Sequence, residues 1–396
     1  MLLLTRLRFS GFRSYPGILG GPLLNELPLR PLTLLIGRNG SGKSQALRLL
    51  HQALAGLGEP TASLLPSQSG DRVFALSPED NFHFRSPAHP LSVDLGWSLN
   101  GVTGSLEFGL AAPSPLNATS TITVLNWRLT QGDHNCEGMD ETLPWDQEPW
   151  KGIRSELSEL WNGSTALVGN RSPIQRAYSL PQQGSALLGL RGERCAEWLF
   201  RSPALQEHVR TWLQENLPPT KLELESSRGE LRLFEGAGDS QLNLAEAPEG
   251  VHQILPVATL LFARSMDADA FIDTIEQPEL HLHDAMHGAL GDLLLDAAGL
   301  RSADEGCDHG QRLMVETHSE GLLLRIRRRI AEGKINAKHI GLAFVDRDER
   351  KSHLREIALS AEGDPAWWPD NIFLERLREA QAISIAIRSR RNTHAV

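Results

Sequence analysis

Eight consecutive residues, Gly37-Arg38-Asn39-Gly40-Ser41-Gly42-Lys43-Ser44, have the spacing G-x-x-x-x-G-K-[ST]. Glycines at these positions let successive backbone N–H groups turn toward one anion. Lys43 can reach β- and γ-phosphates, and the Ser44 hydroxyl can ligate Mg2+. Such a loop works between a strand and a helix, because the positive end of the helix then faces the phosphates. The flanks meet that demand. Leu32 to Ile36 is a short apolar run, and Gln45 to Ala55 carries leucines at 47, 49, 50 and 54 with helical spacing.

A phosphate loop also needs an acid on a neighbouring strand to hold its metal. Phe271-Ile272-Asp273-Thr274-Ile275-Glu276-Gln277-Pro278-Glu279 is an apolar strand ending in acids, 233 residues after Lys43. A gap of that length implies a large insertion between the two halves of the site. Asp273 shares a strand face with Ile275 and reads equally as a metal-facing acid or a satisfied core group. His281, His283 and His287 have the spacing of a metal cluster.

The surrounding pattern predicts the elements that position these groups. Residues 2–9 alternate as a strand. Residues 56–150 are rich in Pro, Ser, Gly and Asn, with alternating stretches over Leu91–Leu99 and Thr121–Leu129, and read as antiparallel β-structure with long loops. Residues 151–161 and 193–217 read as helical, and Leu222–Leu224 with Leu231–Phe234 as a hairpin. From 250 onward an α/β pattern returns: a helix over Gln253–Ala263, a strand over Ala270–Ile275, a helix over His283–Ala298, a strand over Gln311–Glu316 and a basic helix over Gly321–Glu332. Ile340–Val345 and Ser352–Leu359 read as strands, and the last 25 residues as a helix and polar tail. No repeat and no sustained heptads are present.

Composition bounds the class. The 396 residues are 40% hydrophobic, enough for a sizeable core, and no apolar run is long enough to span a membrane. Met1 to Leu4 is too short for a secretory signal core, so a cytoplasmic protein is expected. Cys136, Cys195 and Cys307 form no CxxC pair, which argues against a disulfide framework or a zinc knuckle. The net charge of −10 disfavours a uniformly basic nucleic-acid surface but allows a local basic stripe. Arg325, Arg327, Arg328 and Arg329 on one helix, and Arg388, Arg390 and Arg391 in the tail, fit either a solvated face or a nucleic-acid or partner surface.

Two runs taken together, Ile275 to His283 (I-E-Q-P-E-L-H-L-H) and Val315 to Glu320 (V-E-T-H-S-E), make the chain resemble the ATP-binding-cassette-type AAA family ATPases of the RecF/SMC/OLD group. Within that group it is similar to stand-alone ATPases carrying both runs. Gly169-Asn170-Arg171-Ser172-Pro173, followed by Arg176 and Tyr178, and the Trp368-Pro369 segment are similar to further stretches of the same proteins. The resemblance covers most of the chain and is weak over 56–165. It implies an α/β fold, an ABC/SMC-type ATPase head with a mixed nucleotide-binding sheet, flanking helices, an inserted β-rich lobe and no long coiled coil. The expected division is 1–55 for the first part of the ATPase core, 56–165 for the lobe and 166–245 for a helical and hairpin lobe. Residues 246–360 form the second part of the core, and 361–396 a terminal helix and tail.

By position, the resemblance implies that Glu276 holds Mg2+ with Ser44, and that Gln277 stands where many relatives have the glutamate that activates water. A glutamine orients water but cannot accept its proton. Three alternatives follow: slow hydrolysis, Glu279 or Glu316 as base, or water that is only positioned. His318 matches a switch histidine that contacts the γ-phosphate, and His281 and His283 belong to the run after the metal-binding strand rather than to a zinc site. The signature stretch that caps the other head's nucleotide corresponds to Asn243 through Gln253. It lacks the relatives' glycine near Pro248 and serine near His252, leaving Gly250, the helix start and His252 as candidate phosphate donors. Arg38 is a candidate contact to nucleotide or to the opposite head.

The implied ligands are ATP and Mg2+. The implied assembly is a homodimer or higher homo-oligomer through ATP-bound heads, controlling a separate effector protein such as a nuclease, with DNA left open as a partner and no membrane. Bacterial anti-phage defence is the expected setting. A RecF-like DNA repair ATPase, and an ATP-gated scaffold with very slow hydrolysis, are the alternatives. A nuclease within the chain is disfavoured: after His318 there is no spaced set of acids, and Asp346 with Asp348 is too little.

Overall fold

The computed structural model describes residues 1–17, 23–58, 64–66, 68–69, 72–73, 78–83, 90–112, 122–139, 143–180, 187–218, 221–236, 241–267, 269–301, 310–370, 372–373 and 382–383. The first half contains β1 (Leu2–Ser10), β2 (Asn25–Pro28), β3 (Leu32–Ile36), α1 (Lys43–Gly58), β4 (Leu91–Leu99), β5 (Val102–Ala111), β6 (Thr123–Gln131), β7 (His134–Gly138) and α2 (Trp150–Gly163). Then follow β8 (Ala166–Leu167), α3 (Cys195–Arg201), α4 (Pro203–Asn216), β9 (Leu222–Ser227), β10 (Glu230–Glu235) and α5 (Glu249–Met266). The chain continues through β11 (Phe271–Glu276), α6 (His287–Ala297), β12 (Gln311–Glu316), α7 (Glu320–Ala331), β13 (Ile340–Asp348) and β14 (Lys351–Glu356).

The core sheet has the order β8-β11-β12-β3-β13-β14, parallel except for the last strand. Its strands are continuous apolar runs because both faces are covered. Leu32, Leu34, Ile36, Ile275, Leu313, Val315, Leu342 and Phe344 pack with α3 to α7. Leu35, Ile272, Met314, Ala343 and Val345, which alternate with them, pack with α1, α2 and a second sheet. That second sheet is antiparallel, in the order β2-β1-β4-β5-β6-β7. The strands read between 91 and 131 therefore extend a sheet begun by β1. A two-residue turn at Asn100-Gly101, both with positive φ, joins β4 to β5. The expected hairpin forms as β9 and β10, turning at Arg228-Gly229.

The segment expected to be helical over 193–217 is two helices. Ser202 takes an extended backbone, its hydroxyl accepts from the Leu205 N–H, and Pro203 opens α4. A cap followed by proline starts a new helix more readily than it continues an old one. Most of the expected terminal helix, and Arg388, Arg390 and Arg391, lie outside the described residues. No helix among the described residues is long and apolar enough to cross a membrane.

Asp273 is a core group. It is fully buried, its carboxylate is forked by Arg264 of α5 at 2.7 and 3.0 Å, and it accepts the Thr165 N–H at 2.7 Å. Removing one partner of a buried pair strands the other charge. Asp273→Ala is expected to cost about 3–5 kcal/mol, read as a lower urea midpoint at unchanged slope.

Candidate nucleotide site

The loop between β3 and α1 is braced from two directions. The Tyr15 hydroxyl donates to the Gly42 carbonyl at 3.0 Å, and Ser352 Oγ donates to Ser14 Oγ, which in turn donates to Gln45 Oε1. Arg347 of β13 donates to the Gly40 carbonyl at 2.8 Å. Gly42 has φ +115 and lies so close to Ser14 and Ser352 that a Cβ would sit 2.9 Å from the Ser352 hydroxyl. Gly37, at φ +148, leaves 2.2 Å between such a Cβ and the Val345 carbonyl. Glycine is required at both positions by backbone and by space. Arg38, Asn39 and Gly40 form the exposed tip, while Ser41 and Lys43 are buried.

Lys43 Nζ donates to the Gly37 and Arg38 carbonyls at 3.0 and 2.9 Å and lies 3.6 Å from Glu316 Oε1. Burial pushes its ammonium pKa down, and the Glu316 charge opposes that shift. Ser44 Oγ donates to Glu316 Oε2 at 2.5 Å. The expected acid-bearing strand, β11, does not adjoin β3. β12 intervenes, and its register sets Glu316 directly beside Glu276. Two carboxylates thus stand at the ends of adjacent strands. Burial and then the Glu316 charge raise the Glu276 pKa, against the pull of the Gly169 N–H, which donates to Glu276 Oε2 at 3.1 Å.

Gln277 follows at φ +44, a left-handed conformation uncommon for a residue with a side chain, with its N–H donating to the Glu316 carbonyl at 2.7 Å. Glu279 is buried and accepts the His318 N–H on Oε1 at 2.6 Å, so it ties the segment after β11 to the segment after β12. Burial raises its pKa. Of the two acids read as alternative bases, Glu316 sits on Ser44 and Lys43, and Glu279 sits under His318.

His318 Nε2 is buried with no hydrogen-bond partner. Burial, and then the charge of Lys43, lower its pKa to about 4, so the ring is neutral near pH 7. The unfolded chain binds this proton near pH 6.5. The stability from a neutral His318 is therefore complete above pH 6.5 and lost as pH falls toward 4. His318→Gln is expected to flatten the melting temperature over that window.

The residues fit a magnesium nucleotide. Mg2+ takes oxygen ligands and uses one or two carboxylates with a hydroxyl and phosphate oxygens, and Ser44 with Glu276 and Glu316 offers that set. The buried, unpartnered Ser41 Oγ and His318 Nε2 are polar atoms left for a ligand near the same loop. Among the described residues no three His, Cys, Asp or Glu side chains are placed to hold a metal by themselves. His283 caps a short turn through the Ala285 N–H, and His287 Nδ1 bonds the Ser319 hydroxyl at 2.8 Å.

The structure corrects the role expected of His252. The ring is buried, Nδ1 accepts the Ile174 N–H at 2.8 Å and Nε2 bonds the Ala247 carbonyl at 3.0 Å. Both nitrogens are spent inside the subunit, which leaves none for a phosphate. Gly250 lies in the first turn of α5, where a Cβ would come 2.8 Å from the His281 carbonyl. The basic face of α7 is also paired: Arg325 and Arg329 with Asp292, Arg328 and Arg329 with Glu332, and Arg327 with Asp364.

Arg171 and the loop braces Ser14, Tyr15, Ser352 and Arg347 had no assigned role in the sequence. Their partners are distant along the chain, and only the Gly169-to-Pro173 resemblance pointed at Arg171.

No protein-family model matches the chain, and no curated protein is similar to it. Solved structures are. A crystal structure of an SMC head bound to the C-terminal winged-helix domain of ScpA superposes with a TM-score of 0.52 at 14% identity, over 90% of this chain and 98% of that one. An SMC head domain with an extended coiled coil, bound to the C-terminal domain of ScpA derived from Pyrococcus furiosus, gives 0.50 at 13% identity, over 98% and 100%. The fold is that of the SMC head domains. Among the described residues the longest helix, α5, has 18 residues.

Proposed function

We propose that the chain binds and hydrolyses ATP with Mg2+, closes head to head over the nucleotide, and so controls a separate effector protein in bacterial anti-phage defence. One observation carries the nucleotide part: Lys43 and Ser44 meet Glu316, with Glu276 and Gln277 beside it and His318 beyond, at the ends of three adjacent parallel strands. Ligands bind at that edge of open α/β sheets.

In this reading the loop N–H groups and Lys43 hold the phosphates, and Ser44 with Glu276 would hold Mg2+. Mg2+ would neutralise charge developing on the β- and γ-oxygens. To reach a phosphate, Lys43 gives up the carbonyls of Gly37 and Arg38. Gln277 orients the attacking water, and neutral His318 can donate one hydrogen bond to the γ-phosphate without adding charge. The exposed tip at Arg38 is where a second head would approach. The effector and the defence setting rest on the resemblance of the two motif runs alone. The paired arginines of α7 count against a nucleic-acid track there, and so against a RecF-like role through that helix.

A scaffold with very slow turnover is the second reading, favoured by the amide at Gln277. Steady-state ATP hydrolysis by the purified chain, with sizing in ATP and Mg2+, decides. Turnover that Lys43→Ala abolishes supports the first reading. Association with ATP but no turnover supports the second, and neither response sinks both.

A further inference from the structure

Residues 168–174 run as a strap from the end of β11 to the start of α5. Arg171 is its centre and is 1% exposed. One guanidinium nitrogen donates to the Glu276 carbonyl at 2.6 Å, and the other to the Gln277 carbonyl and to Gln253 Oε1, both at 3.3 Å. On one side of it the Gly169 N–H holds the Glu276 carboxylate, and on the other the Ile174 N–H holds His252. The strap is itself fixed to the loop at 187–194. Val168 donates to the Leu190 carbonyl, Ser172 to the Arg191 carbonyl, and Arg191 Nε to the Asn170 carbonyl, all at 2.9 Å.

A left-handed backbone at a residue such as Gln277 is unfavourable and persists only where its surroundings over-determine it. Here the Gln277 N–H is held by the Glu316 carbonyl, and its own carbonyl accepts from Arg171 and from the Leu280 N–H. Arg171 thus grips the carbonyls on both sides of Gln277, the residue whose amide would orient the water. A planar fork can span these acceptors, whereas the single ammonium of lysine cannot.

We propose that Arg171 is a positioning residue: by clamping the Glu276 and Gln277 carbonyls it aims the Gln277 amide at the attacking water, and through Gln253 it makes that aim depend on how the first turn of α5 is held. The inference rests on the nucleotide reading above and adds to it a link between the hydrolytic end of β11 and the helix whose start would face the other head. Gly250, packed on the His281 carbonyl, is a second contact between the same two places.

The test is a cycle on the full chain with ATP and Mg2+: wild type, Arg171→Lys, Gln277→Ala and the double variant. Arg171→Lys is expected to lower kcat about tenfold while binding of a fluorescent ATP analogue stays within about twofold. On the Gln277→Ala background the same change is expected to have no further effect, because the group being aimed is gone. Should Arg171→Lys fail to fold, Gln253→Ala enters the same cycle, with a smaller loss of kcat that likewise vanishes without Gln277. If the wild type binds but turns over too slowly, Gln277→Glu replaces it as the parent. An unchanged kcat, an equal loss on both backgrounds, a parallel loss of binding, or no turnover in either parent overturns the positioning role. A wild type that binds no ATP overturns the nucleotide reading, and this role with it.

Discussion

Lys43→Ala is expected to lower ATP turnover by about 10²–10³-fold, the usual loss when one donor to the developing charge is removed. The structure argues for the upper end. Lys43 is the cation lying against Glu316, and Ser44 is the next residue on the same carboxylate. Without the ammonium, Glu316 loses the cation that lies 3.6 Å from it and meets incoming phosphates less well neutralised, so binding falls as well as rate. The fold should survive, because the loop keeps its braces from Tyr15, Ser14, Ser352 and Arg347. A phosphate-release assay beside a thermal melt checks both halves. A variant that melts like wild type yet still hydrolyses ATP at the wild-type rate would remove Lys43 from the chemistry.

Gln277→Glu is expected to do the opposite, raising kcat by about 10²-fold, the low end of what a placed general base supplies. The new carboxylate would join Glu276, Glu279 and Glu316. Glu276 is already raised by burial and by its neighbour's charge, and the added group meets the same field. Its pKa would rise toward the range where a base works best, so the rate should gain a rising limb with pH that the wild type lacks. A flat response would move water activation to Glu279 or Glu316. The first would have to release the His318 N–H and the second the Ser44 hydroxyl, and substitution of each would then show which does.

The parts of the site legible in the sequence are those in which one short segment does all the work. Gly37 to Ser44 needs only its own spacing between a strand and a helix, and both flanks are local. Asp273 was ambiguous for a physical reason: strand alternation gives its face but not its partner, and Arg264 decides the matter from α5. The sequence offers Glu316 as a possible base, but its contact with Ser44 depends on strand order, which a linear pattern does not show. Only when β12 lies between β11 and β3 does its carboxylate meet Ser44. His252 misled because it stands at the right distance from the expected signature while its ring turns toward Ile174, 78 residues earlier. Beyond its place in the Gly169-to-Pro173 run, Arg171 carries no local signal, since its partners lie 82 to 106 residues away. The break at Ser202-Pro203, by contrast, was written locally as a cap and an imino acid.

Ser14 follows the first strand of the antiparallel sheet, and Ser352 belongs to the last strand of the parallel one. Their hydroxyls bond to each other directly against Gly42, at a place where a single added methyl would not fit. The two sheets are thus pinned together at the point that would grip phosphate. Any rotation of one sheet against the other applies torque to that pin, and any ligand that stiffens the loop resists the rotation in equal measure. β7 lies at the far edge of the antiparallel sheet, four strands from β1, so a force applied there would be felt at the phosphates.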